Sequence, residues 1–329
     1  MMNLLAETKW WNWLPQKGST FTGWVDPLFY FELILSIVLF AGIGGCMFYF
    51  AWKYHRKSPD DHPQGAHHNN TLEIIWSVIP LGIVMFIFVW GFRGMMDMTQ
   101  PQAYATEIVV TASRWNWQFT YPNGAQSSME QGLVVPVNQP IRIVLKTPLT
   151  DVIHSFYVPA FRIKKDAVPG RYNETWFKAT KIGEYPLYCA EYCGQRHSQM
   201  RSRVRVVSED EYDATIAGLA NFLDNDPPAV AGQKVFAIKG CATCHSVEGK
   251  PGTGPPLNDV FGSTVTLNDG TQVKADENYI SNSVKNPSSQ IVAGFQDQMT
   301  VLDVSEKELD ALIAYLKSIS KHYVGNKKE

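Results

Sequence analysis

Charge is scarce in this chain. Of its 329 residues 18% are Asp, Glu, Lys or Arg, and 29 basic against 31 acidic residues leave a formal net charge of −2. That balance provides no basic surface for nucleic acid. Cysteine is sparse as well: Cys46, Cys189, Cys193, Cys241 and Cys244 are the full set of five. Four of them fall in two tight pairs, which points to local chemistry more than to a disulfide framework. No small-residue cleavage site follows the first apolar run, which argues against a removed signal peptide. What the chain has in place of charge is apolar content, 45% of residues, in a length suited to two or three domains.

The apolar residues concentrate first in two runs. Leu28 to Trp52 reads LFYFELILSIVLFAGIGGCMFYFAW, with Glu32 its only charge, and Ile74 to Phe92 reads IIWSVIPLGIVMFIFVWGF, with none. About 20 such residues cross a hydrocarbon core, and the near-absence of charge separates these runs from ordinary core helices. Lys53, Arg56 and Lys57 sit at the end of the first run, whereas Arg93 is the only nearby base after the second. The positive-inside rule therefore puts the connecting loop in the cytoplasm. The N-terminus and everything beyond Arg93 then lie outside, which in a bacterium means the periplasmic or outer face of the inner membrane. His55, His67 and His68 in the loop read as solvated polar residues, not as a metal cluster.

From about Ala105 to Val207 the pattern changes to short runs rich in branched and aromatic residues: TEIVVTA, WNWQFTY, IRIVLKT, NETWFKA and RSRVRVV. Several alternate apolar and polar, and Gly, Pro and Asn separate them. This is the signature of a small all-β sandwich or barrel.

Within that region lies CAEYCGQRHSQM, Cys189 to Met200. Its two thiols, with His197, Met200 and the upstream His154, make a soft nitrogen and sulfur ligand set of the kind that suits copper, zinc or iron–sulfur. Structural zinc uses four ligands without methionine. A mononuclear blue-copper site uses one cysteine, not two. Two thiolates can instead bridge two copper ions, each capped by one imidazole. The plain alternative is a Cys189–Cys193 disulfide, which the outside compartment permits.

The match DVIHSFYVPAFRIKKDAVPGR…YCAEYCGQRHSQM resembles subunit II of haem–copper cytochrome c oxidases, over about residues 26–207. The resemblance implies a cupredoxin fold behind a two-helix transmembrane hairpin. It implies a dinuclear copper centre, CuA, held by His154, Cys189, Cys193, His197 and Met200, with the backbone carbonyl of Glu191 as a further ligand. The Glu191 carboxylate would face a magnesium ion shared with subunit I. Every ligand position is filled, which disfavours a quinol-oxidising relative that has lost copper. Trp115, in SRWNWQFTY, falls where the family has a tryptophan over the copper at the surface where electrons enter. One of Trp115 and Trp117 is then a core aromatic. Glu73, in NTLEIIWSVIP, falls at the mouth of the family's proton pathway into subunit I, although an acidic residue there also complements a helix dipole. Asp151 matches a surface carboxylate linked to cytochrome docking, and equally fits a solvated loop charge.

After the β-region, SEDEYDATIAGLANFL reads as one short amphipathic helix. DNDPPAVAG breaks that pattern at Pro227 and Pro228, and a new unit begins near Gly232. That unit carries GCATCHSVEG, and C-x-x-C-H is a c-type haem attachment signature. Cys241 and Cys244 would form the thioethers and His245 would be the proximal iron ligand. A thioredoxin-like pair or half a zinc site is the alternative, and the trailing histidine and the missing second C-x-x-C argue against both. Met299 is the only methionine after Met200 and is the expected sixth ligand; His322 is its rival. Small bacterial cytochromes c usually place proline after this methionine, where Thr300 stands here. The last helix, SEKELDALIAYLKSIS, spaces Ser305 and Glu308 as a capping box. Its Leu309, Leu312, Ile313 and Leu316 form a core stripe.

The expected organisation is an N-terminal segment and anchor at 1–98, a cupredoxin domain at 99–210, a helix and linker at 211–230, and an all-α cytochrome c domain at 231–329. This order resembles oxidase subunit II proteins with a fused cytochrome c. It implies electron delivery from haem c to CuA and on to subunit I, where oxygen is reduced to water. Implied partners are subunit I, subunit III, the membrane, and a donor such as a soluble cytochrome or a quinol-oxidising complex. A nitric oxide reductase subunit with the same copper module, or a tethered redox protein without a catalytic partner, are the alternative readings.

Overall fold

The protein is described by a computed structural model covering residues 13–60, 65 and 68–323. His67 lies outside the described residues. The chain divides into two compact units, one built on residues 20–100 and the other on 15–19 with 101–329.

The first unit is a pair of helices, α1 (Thr22–Lys53) and α2 (Asn70–Thr99), of 32 and 30 residues. At 1.5 Å per residue each exceeds the thickness of a bilayer core. None of the residues in their most apolar stretches is buried by protein, and side chains such as Phe40 (82% exposed) face outward. That arrangement suits lipid and would be untenable in water. The Asn69 side chain caps α2 by accepting from the Leu72 N–H at 3.1 Å. Glu73 lies in the first turn of α2, where a carboxylate complements the helix dipole. Phe31 meets Phe86 edge-on, ring centroids 5.4 Å apart, where the two helices touch.

The second unit starts as a sandwich of ten strands: β1 (Thr106–Ser113), β2 (Asn116–Thr120), β3 (Gln126–Ser127), β4 (Leu133–Pro136), β5 (Pro140–Lys146), β6 (His154–Val158), β7 (Ile163–Ala167), β8 (Asn173–Lys178), β9 (Gly183–Cys189) and β10 (Arg201–Val207). One sheet has the order β3-β2-β1-β5-β8 and the other β4-β10-β9-β6-β7. β1 pairs parallel with β5 and β10 parallel with β4; the other pairings are antiparallel. Alternation in β1 buries Ile108, Val110 and Ala112, and in β5 it buries Ile141, Ile143 and Leu145, so a one-residue slip would expose either set. Residues 15–19, which the sequence assigns to the anchor, belong to this unit. The Gly18 N–H donates to the Ala160 carbonyl at 2.9 Å and the Ser19 hydroxyl to the Phe161 carbonyl at 2.9 Å.

Helices follow: α3 (Glu209–Leu219), α4 (Phe222–Asn225), α5 (Pro228–Ile238), α6 (Glu277–Lys285) and α7 (Glu306–Ser318), with a hairpin of β11 (Thr264–Thr266) and β12 (Gln272–Lys274) between α5 and α6. The stretch read as one helix is two, because Asn221 takes a left-handed conformation, φ 58°, between α3 and α4. Pro228 opens α5 at its first position, where its missing N–H costs nothing. Gly232 is therefore inside a helix, and the reason is packing: a Cβ there would fall 1.9 Å from the Ala311 carbonyl oxygen of α7. The stripe Leu309, Leu312, Ile313 and Leu316 is buried against Val235 and Phe236 of α5. The capping box is formed, with Ser305 N–H donating to Glu308 Oε2 at 2.8 Å and Glu308 N–H to Ser305 Oγ at 3.3 Å.

Candidate metal centre and haem cavity

The ligand set from the sequence is brought to one end of the second sheet. His154 opens β6, Cys189 closes β9, and these strands are antiparallel partners. Cys193, His197 and Met200 lie on the loop that returns from β9 to β10, and Cys189 N–H donates to the Met200 carbonyl at 3.2 Å to close it. The two sulfurs are 3.8 Å apart. A disulfide needs about 2.05 Å, and all five cysteines are free, so the disulfide reading is set aside. Imidazoles flank the pair: His154 Nδ1 is 3.9 Å from Cys189 Sγ and His197 Nδ1 is 3.4 Å from Cys193 Sγ. Met200 Sδ lies 3.9 Å from Cys193 Sγ, and the Glu191 carbonyl oxygen 3.2 Å from Cys189 Sγ. Two sulfurs bound to one ion at about 2.3 Å each can be at most about 4.6 Å apart, so the spacing fits ions held between them. The hydrogen bond between the two sulfurs holds the Cys189 thiol below its ordinary pKa and pushes Cys193 above its own; a thiolate is the form that metals bind.

Asp151 differs from its sequence reading. It is buried, not a surface or solvated carboxylate. It accepts from the Arg114 backbone N–H and from Arg114 Nε, both at 2.9 Å, and its Oδ1 lies 3.6 Å from His154 Nε2. Burial opposes ionisation, yet the histidine and the two backbone N–H groups outweigh it and hold the carboxyl below its ordinary pKa. A buried anion behind one ring nitrogen leaves the other, Nδ1, facing the sulfur.

Trp115 is 3% exposed, and its Nε1–H donates to the Cys193 carbonyl at 3.1 Å. It lies against the Cys189–Met200 loop but offers no open surface. Trp117 is fully buried, edge-on to His154 with centroids 6.4 Å apart and to Phe156 at 5.9 Å, so it is the core aromatic of the two. Glu73 pairs with His68 at 3.1 Å, and Glu191 is exposed beside the thiol pair.

A cavity of about 520 Å³ opens among the helices, lined by Cys241, Cys244, His245 and Met299, with Leu312 and Leu316 from α7. Cys241 to His245 form a single turn after α5, with Cys244 N–H and His245 N–H both donating to the Cys241 carbonyl, at 3.2 and 2.9 Å. The His245 Nδ1 lies 2.8 Å from the Pro255 carbonyl oxygen. Only an N–H can satisfy a carbonyl, so Nδ1 carries the proton and Nε2 is left as a lone-pair donor to iron. Burial holds the His245 pKa below its ordinary value, which keeps the ring neutral. A Cβ on Gly254 would fall 2.6 Å from the His245 ring, so glycine lets the chain pass close to the imidazole. Burial also pushes the Cys241 thiol up to about 12 and raises Cys244. His322 is exposed and does not line the cavity. The residues fit haem c: an apolar slot, two thiols, a neutral imidazole and a thioether.

The sequence assigns no function to Asn116 or Gly254, and it offers Asp151 as a docking or solvated carboxylate, not as a partner of His154. Asp151 stands three residues before His154, which is a usable signal; Asn116 and Gly254 have none without tertiary contacts.

Family models match in three places: the transmembrane domain of cytochrome c oxidase subunit II over residues 8–93, its periplasmic domain over 120–207, and cytochrome c over 229–320. Cytochrome c oxidase subunit 2 of Alkalihalophilus pseudofirmus is 32% identical over 303 residues, covering 88% of this chain and 86% of that one. The corresponding protein of Bacillus sp. strain PS3 is 30% identical, covering 78% and 76%. Among solved structures, the periplasmic domain of subunit II of cytochrome oxidase from Bradyrhizobium japonicum is 37% identical, with a TM-score of 0.34, covering 36% of this chain and 95% of that one. With an anchor, a thiol-rich copper loop and a C-x-x-C-H cavity in that order, the chain belongs to the cytochrome c oxidase subunit II family, in the form that carries a cytochrome c domain after its copper domain.

Proposed function

We propose that electrons cross this subunit in two stages on the way to subunit I of a haem–copper oxidase, where oxygen is reduced to water. Bound haem c and dinuclear copper supply the two one-electron carriers. The residues of this chain hold, orient and insulate them. Cys241 and Cys244 would attach the haem, and His245 and Met299 would be its iron ligands. His154, Cys189, Cys193, His197, Met200 and the Glu191 carbonyl hold copper. The observation that carries the reading is the pair of unlinked sulfurs 3.8 Å apart with an imidazole nitrogen outside each.

Other roles follow from the family. Glu191 turns its carboxylate to a magnesium ion shared with subunit I. Glu73 stands at the mouth of a proton path. Trp115 passes electrons to the copper loop. Subunit III and a soluble cytochrome or quinol-oxidising complex complete the partners. The two-pass anchor sits in a bacterial inner membrane with the metal-bearing parts on the periplasmic side, as the basic loop after α1 argues. The parts divide near 99, 211 and 231, close to the end of α2, the start of α3 and the start of α5.

The test is electron paramagnetic resonance of the purified complex. Two thiolates bridging two coppers give a mixed-valence centre, with the unpaired electron coupled to two equivalent copper nuclei. Cys193→Ser abolishes that signal and leaves haem c in place. A single-copper spectrum, or zinc by elemental analysis, sinks the assignment.

A further inference from the structure

Four consecutive residues at the β1–β2 turn touch different parts of this machinery. Ser113 and Arg114 line the haem cavity. Trp115 donates to the Cys193 carbonyl on the copper loop. Asn116 donates from Nδ2 to the Ile238 carbonyl at 3.0 Å, across 122 positions of sequence.

Ile238 is the last residue of α5, and the carbonyls of a helix's last turn have no partner within the helix. The Val235 and Ala237 carbonyls are taken locally, by the N–H groups of Lys239 and Gly240 at 2.8 and 3.2 Å. The Ile238 carbonyl is taken by the copper domain. Gly240 then brings the chain closer still: its φ is +74°, and a Cβ on it would lie 2.5 Å from Asn116 Cγ. The backbone immediately before Cys241 therefore lies against the Asn116 amide. Asn116 is buried, so water does not compete for this bond. Two other polar links join the same parts, and both are longer. Gln126 Nε2 donates to Glu308 Oε1 at 3.4 Å. Lys146 to Asp303 is a 3.5 Å pair with Asp303 90% exposed, and such pairs contribute little.

We infer that Asn116 is a positioning residue: by capping α5 from the copper domain, it fixes the haem-attachment turn against Trp115 and the copper loop, and so sets the distance for electron transfer between the two centres. This rests on the assignment of copper to the Cys189–Met200 loop and of haem to Cys241–His245. The chain Cys241, Gly240, Asn116, Trp115, Cys193 is then continuous through bonds and two hydrogen-bonded or closely packed contacts.

The experiment uses the whole complex in mild detergent, with Asn116→Ala and the near-isosteric Asn116→Asp, whose carboxylate has no donor for the Ile238 carbonyl. Amide hydrogen exchange over Lys239 to Thr243 reports docking, and flash-induced oxidation of haem c reports transfer. Losing a buried hydrogen bond of about 1.4 kcal/mol raises exchange in that segment about tenfold. Transfer slows by about tenfold or more, as a small misplacement of reacting groups is costly. Copper resonance and haem absorption stay as in the parent, and Lys146→Ala changes none of these readouts. Slowed transfer with raised local exchange and intact spectra supports the inference. Unchanged transfer in both variants, whether exchange rises or not, overturns it and leaves the copper and haem assignments standing. Loss of copper in both variants also overturns it, because Asn116 is then part of the copper domain's own fold. A parent complex without the two-copper signal removes the assignment underneath, and that is read before any variant is made.

Discussion

His154 depends on its second nitrogen. Nδ1 faces a sulfur only if something holds Nε2, and the buried Asp151 carboxylate stands behind that nitrogen at 3.6 Å. Asp151→Asn keeps the shape and removes the charge. Copper affinity should fall about 10- to 100-fold, the usual consequence of losing such an outer partner, while the haem spectrum stays unchanged. Competition with a copper chelator measures it, and an unaltered affinity would show that Asp151 serves only to tie down Arg114. At the haem, Met299→Ala should remove the weak sulfur-to-iron band of the oxidised form and lower the reduction potential, because a soft thioether favours ferrous iron. His322→Ala should do neither, since that side chain is outside the cavity. The candidate ligand residues stand out in the sequence because a thiol, an imidazole and a thioether packed within twelve positions have few other uses. Asp151 is misread because its partner Arg114 is 37 positions away, and its spacing of three to His154 is the one local sign of burial.

Strands and helices were legible where one face meets a core. β1, β2, β5, β8 and β10 alternate or carry branched and aromatic residues, and each appears where the sequence puts it. The other strands, β3, β4, β6, β7 and β9 of the sandwich and the β11–β12 hairpin, are not among those runs, and two of them show why. β7, IKKDA, is an edge strand whose lysines face water. β9, GEYPLYC, contains proline and glycine and is recruited by pairing with β10 and β6. Propensity gave way to tertiary pairing in each case. Gly232 shows the same limit in a helix, where it reads as a boundary but is the contact point of α5 and α7. Gly232→Ala forces a methyl to 1.9 Å from a backbone oxygen, so the helices must separate. The cytochrome unit should lose about 1–3 kcal/mol, measured by denaturant unfolding followed at the haem absorption band, while the copper signal persists. A stability gain, the usual result of replacing glycine in an exposed helix, would mean that the crossing is looser than described. Ser305→Ala, at the capping box of α7, should cost about 0.5–2 kcal/mol in the same assay.

Across the whole molecule, fusion changes what the copper domain has to do. A subunit that meets its donor by diffusion needs an open landing surface, whereas a tethered donor is present at high effective concentration. Trp115 fits the second case. The sequence places it at an exposed site of electron input, yet the structure leaves it 3% exposed, with its indole N–H on the Cys193 carbonyl and its ring within 3.4 Å of where a Gly194 Cβ would stand. At 3% exposure the ring offers an external protein almost no contact surface. Trp115→Ala should therefore slow transfer between haem c and copper strongly while both centres keep their spectra, and added soluble reduced cytochrome should not restore turnover. Trp117→Ala is the contrast. That ring is fully buried against His154 and Phe156, so its loss should cost about 3–5 kcal/mol and act through folding and copper content. Flash-induced oxidation of haem c in the purified complex, with copper quantified in parallel, separates the two. If Trp115→Ala transfers at the parent rate, the ring is packing and not a conduit. The route then runs elsewhere across the interface, with the Asn116 to Ile238 hydrogen bond the next link to cut.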